Sequence, residues 1–128
     1  MNARIGLYLT VLAPQFAFAC PDMTNALKLS STTSSAPPAF VVFDDLTVSE
    51  PFDGTVRFCT EAVDALEFNA TMPAHQHGMN YIVDVTQIDT NSFALNNIVF
   101  HMPGLWEVRF DADMAEGRVS YSGTVEVP

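Results

Sequence analysis

The chain has 128 residues and carries five lysines and arginines against fifteen aspartates and glutamates, a formal charge of −10. That length suits one domain, and that charge excludes nucleic acid and anionic membrane surfaces as partners, since both need clustered cations. No HExxH, CxxC, GxSxG or glycine-rich phosphate loop is present, so no enzyme class is indicated.

Residues 1–19 have the pattern of a secretory signal peptide. Arg4 precedes an apolar run over residues 5–12, Pro14 breaks it, and Ala17 and Ala19 supply small residues at −3 and −1. The run is too short for a spanning helix, which needs about 20 residues. Cleavage after Ala19 would leave a periplasmic or secreted protein beginning at Cys20, not itself membrane-spanning. Its remaining length is enough for a single small core.

Cys20 and Cys59 are the two cysteines. An even count in an exported chain predicts a disulfide. The alternative is lipid attachment at Cys20, but Ala17-Phe18-Ala19 is a poor lipobox. Residues 20–38 read as a flexible N-terminal arm, because the stretch SSTTSSAPP at 30–38 is small, polar and ends in prolines.

Residues 39–128 read as strands. The first covers 40–43, with a further piece at 46–48, and a turn follows at 51–54. In 55–59, Val56 and Phe58 face one way and Arg57 and Cys59 the other, so Cys59 is outward and within reach of the arm. In 65–72, Leu66, Phe68, Ala70 and Met72 share a face. Alternation recurs in 81–87, in 98–102 through Ile98, Phe100 and Met102, in 106–110, and in 118–127. Period-two alternation repeated about seven times predicts an all-β fold, an immunoglobulin-like antiparallel β-sandwich of about seven strands.

The chemistry is concentrated in two fragments. MPAHQHGM spans residues 72–79, and His101-Met102-Pro103-Gly104 follows after a gap; together they hold all three histidines of the chain. Pro73 should stop strand pairing. His75, His77 and Met79 stand at i, i+2 and i+4, so an extended backbone would project them from one side. Thioether sulfur suits Cu(I), while imidazole accepts Cu(I), Cu(II) and Zn(II). A site of His75, His77, Met79 and His101, with Met72 and Met102 as further thioethers, therefore predicts copper, Cu(I) above all, as the cargo of a chaperone or carrier. It also predicts both fragments at one end of the sandwich, with His101 facing His75 or His77.

Plainer readings exist for single residues. Met72 continues the apolar phase of Leu66 and Phe68, Met102 continues that of Ile98 and Phe100, and methionine often fills core gaps. Trp106, on an alternating apolar face, belongs to the core. The competing function is a non-metal extracytoplasmic interaction domain whose rigid end docks onto a membrane or secreted partner.

MPAHQHGM followed by FHMPGLWEVRF at residues 100–110 resembles the bacterial YtkA-like domain family, small exported or membrane-anchored β-sandwich domains. The resemblance spans residues 41–127. On it, Met72, His75, His77 and Gly78 fall on the family's first motif and Met102, Gly104 and Trp106 on its second. Gln76 stands where many members carry glycine. The resemblance implies a β-sandwich and an association with copper handling or respiratory oxidase maturation, with an envelope or respiratory-complex protein as partner.

Overall fold

The alternation seen in the sequence becomes two antiparallel sheets. The structure, a computed structural model, describes Cys20, residues 23–79 and residues 81–128; the signal-peptide reading of 1–19 lies outside these residues. The strands are β1 (Leu27–Lys28), β2 (Ser30–Ser31), β3 (Ala39–Phe43), β4 (Phe52–Phe58), β5 (Ala65–Met72), β6 (His77–Gly78), β7 (Asp84–Asp89), β8 (Ser92–Ile98), β9 (Gly104–Met114) and β10 (Gly117–Val127). One sheet runs β1-β3-β4-β8-β7 and the other β2-β10-β9-β5-β6. With the three two-residue strands set aside, the order is first, second, fifth and fourth facing seventh, sixth and third. That is the immunoglobulin arrangement. No helix among the described residues is long and apolar enough to cross a membrane.

The core lies between the inner faces. Val41, Val56, Phe58 and Leu95 enter from one sheet, and Trp106, Val108, Phe110 and Tyr121 from the other, all buried. Phe58 meets Tyr121 edge to face across the gap at 5.3 Å. Each such side chain contributes about 1.5–3 kcal/mol on burial.

Three local expectations are corrected. Residues 51–54 are not simply a turn, because Phe52, Asp53 and Gly54 open β4. Gly54 is there for space: a Cβ would come within 2.8 Å of the Phe43 ring. Residues 46–48 form no strand; Leu46 and Val48 pack on the core from a loop tied down by Ser49 N–H donating to Phe100 O at 2.8 Å. The strand expected at 98–102 lies upstream, as β8. Asn97 takes a φ of 58°, and the burial phase of Phe93 and Leu95 shifts there to Ile98. Residues 99–103 then cross from one sheet to the other.

The arm is also structured where the sequence suggested flexibility. Leu27 pairs with Val41 in one sheet and Ser31 with Tyr121 in the other, while Leu29 between them is buried. Gly123 makes the room, since a Cβ there would meet Leu27 at 2.8 Å and Leu29 at 3.0 Å. The Tyr121 hydroxyl donates to Pro37 O at 2.7 Å. Cys20 and Cys59 are joined by a disulfide, as predicted.

Candidate metal site

β5 ends at Met72 and the chain reverses through residues 73–76, with His75 N–H donating to Met72 O at 3.2 Å. Gln76 completes the reversal at φ 51°, in the left-handed region where glycine is favoured. The chain then returns as β6, with His77 opposite Met72 and Gly78 opposite Thr71. Opposed residues share a face of the sheet. His77 is therefore on the inner side with Met72, at the open end of the sandwich, where it is exposed and Met72 is buried.

The crossing from β8 to β9 supplies the other half. It is built around Trp106, which is fully buried. Phe100 stacks on the indole at 4.6 Å with the planes 9° apart. The indole N–H donates to Met102 O at 3.0 Å, and the His101 ring stands edge to face with the indole at 5.5 Å. Three consecutive residues are thus held by one side chain. Gly104 follows at φ +124°, and its missing Cβ leaves room for the Met72 methyl, which would lie 3.0 Å from it.

These two constructions meet. The rings of His77 and His101 are 5.8 Å apart, centre to centre, at an interplanar angle of 79°. Metal–imidazole bonds of about 2 Å place two rings sharing an ion roughly 5–6.5 Å apart, so the pair is spaced for one. An edge-to-face pair at this distance is equally ordinary for aromatic packing, so the neighbours matter. Met72 and Met102 bring thioethers to the same end. Among the described residues, no three histidine, cysteine or carboxylate side chains gather as a metal group. Any ion here would rest on two imidazoles and sulfur.

The other expected residues are placed differently. The alignment of His75, His77 and Met79 required extended backbone throughout, and the left-handed Gln76 breaks it. His75 sits exposed in the turn. Met79 is partly buried and lines an open cleft with Leu66 and Phe68. Both fragments do lie at one end, opposite the disulfide, and His101 faces His77.

Charge favours a cation at this end. The lysines and arginines of the described residues lie mid-strand or towards the far end: Lys28 opposite Phe40, Arg57 opposite Ser92, Arg109 opposite Asn69 and Arg118 opposite Asp113. Glu107 and Glu126 stand near the histidine end, Glu126 opposite Leu105.

The cleft itself is not foreseen by the alternation of the strands that border it. A signal was there in Tyr81-Ile82-Val83, three consecutive apolar residues that no strand can bury on one face. No protein-family model, curated protein or solved structure matches the chain.

Proposed function

We propose that the protein is a copper-binding β-sandwich that holds Cu(I) as a carrier or chaperone in the periplasm or outside the cell. The carrying observation is the His77–His101 pair at 5.8 Å, at the end where Met72 and Met102 sit. His77 and His101 are the nitrogen donors, and Met102 and Met72 the thioethers. Met79 and His75 are outer residues that can assist capture from solvent. Two imidazoles with thioethers suit Cu(I) better than Zn(II), whose sites take nitrogen, thiolate or carboxylate. Trp106 acts as a scaffold that fixes the His101 loop. The resemblance to YtkA-like domains supports the same reading and an envelope or respiratory-complex protein as the recipient.

The experiment is an anaerobic titration of the folded protein with Cu(I) in competition with a chromophoric chelator, run beside a Zn(II) indicator. One equivalent of Cu(I), held more tightly than Zn(II), is expected. Failure to compete for Cu(I) would remove the proposal.

A further inference from the structure

Among the described residues, one flank of the sandwich lacks a strand. β9 covers one side of β5 along residues 65–71, but β6 covers the other only at Thr71 and Met72. Among the described residues, no strand lies beside residues 65–70 on that side. Met72 O accepts from the β6 side, and residues of equal parity in an antiparallel ladder point their backbone groups the same way. The N–H and C=O groups of Leu66, Phe68 and Ala70 therefore face the vacant side. The Ala70 amide is met there by its own neighbour, donating to Asn69 Oδ1 at 2.8 Å.

A cleft of about 760 Å³ runs beside this edge. It is lined by both phases of β5, Leu66 and Phe68 turned inward and Glu67 and Asn69 turned outward, so it follows the edge of the strand. Its other wall includes Met79, Ile82 and Val83. Ile82 is 93% exposed. Beyond lies β7, the last strand of its sheet. An apolar trough along unpaired strand backbone is the arrangement that accepts an added strand.

We propose that this flank is a strand-acceptor site: an extended segment of a partner protein pairs with residues 65–70, placing alternate apolar side chains in the cleft and cationic ones outward. Charge selects this occupant. Glu67 and Asp111 line the cleft, paired with Arg118 and with the cleft's own Arg109, while Asp84 and Asp89 lie on β7 and the chain carries −10 overall, so the excess charge at this flank is negative. A second copy would bring the same acids to the same edge and be repelled. The proposal does not depend on copper.

The probe is an eight-residue peptide alternating valine with lysine and threonine, added to the full disulfide-bonded protein at about 1 mM, where even a weak site fills. Residue-resolved amide exchange should slow by about tenfold at Leu66, Phe68 and Ala70. Glutamate in place of the lysines should weaken binding about fivefold, as should Ile82→Ser, which removes apolar surface from the cleft wall without adding charge, at an exposed position where the fold stays intact. Asn69→Ala frees the Ala70 amide and should tighten binding about twofold. No slowing at these three amides, or slowing only elsewhere, overturns the site. Concentration-dependent dimers that protect the same amides without peptide would assign the edge to a second copy and overturn it as well.

Discussion

The imidazoles of His77 and His101 stand edge to face at 5.8 Å, although one belongs to a two-residue strand and the other to a crossing between sheets. The proposed site requires both rings and gives His75 no direct share. His77→Ala and His101→Ala should each weaken Cu(I) binding about a hundredfold, or about 2.7 kcal/mol, while His75→Ala costs less than about threefold. Chelator competition measures all three. Equal losses from His75 and His77 would return the site to the turn.

Sulfur should decide which metal is held. Met102→Leu keeps the volume nearly constant and deletes the thioether. It should lower Cu(I) affinity by about tenfold and leave weak Zn(II) binding unchanged. A parallel loss for both metals would mean that Met102 only supports the loop.

Gln76 holds a φ of 51° in the turn between β5 and β6. A side chain in that region costs about 1 kcal/mol or more, partly offset by the extra freedom of glycine in the unfolded chain. Gln76→Gly should therefore stabilise the protein by about 0.5–1 kcal/mol with little change in Cu(I) affinity. Urea unfolding at constant slope checks it; a loss of stability would show that the glutamine side chain makes a compensating contact.

The disulfide links residues 39 apart in sequence. Closing a loop of that size is worth about 3–4 kcal/mol in the chain-entropy model. Cys59→Ser, compared with the oxidised parent, should lose that much or less, yet keep Cu(I) binding, because the bond lies at the end opposite the histidines. Loss of copper affinity in the folded variant would mean that the two ends are coupled.

Burial, then the nearby charge of Glu116, pushes the Tyr121 hydroxyl up to about 12. A folded-state value above the unfolded value of about 10 means that the folded state keeps its proton longer. The resulting stability is full below about pH 10 and is lost as pH rises through 12. Tyr121→Phe should cost about 1 kcal/mol at neutral pH through the lost bond to Pro37 O and should flatten the alkaline decline. Circular dichroism between pH 8 and 12 would reveal an unaltered decline if other groups are responsible.

Much of the sandwich was legible because its long strands bury one face each. β5 alternates without a break from Leu66 to Met72, and β9 does so from Trp106 to Met114. The failures have particular causes. Gly54 looked like a turn because the space it leaves for Phe43 is set by tertiary packing. Asn97 shifts the phase of β8 one residue before its end, which periodicity cannot foresee. The arm was misread because its partners are in distant sequence. In the site, the two fragments, their common end and a histidine of the first facing His101 were readable from strand order, but the choice of His77 over His75 was not: it depends on one left-handed residue, Gln76, which turns His75 out of line.

Gly123 has a bearing on the order in which the protein is assembled. The gap it leaves is filled by Leu27 and Leu29, and the strand it belongs to pairs with Ser30 and Ser31. Tyr121 reaches Pro37 across 84 residues of sequence. A segment made early is therefore sealed by one made much later, and contacts so distant form late because their loop-closure entropy must be met first. Until β10 is in place, Leu29 has no glycine notch to enter and one margin of β9 stays bare. The final seam of the fold is thus the one that joins β2 to β10.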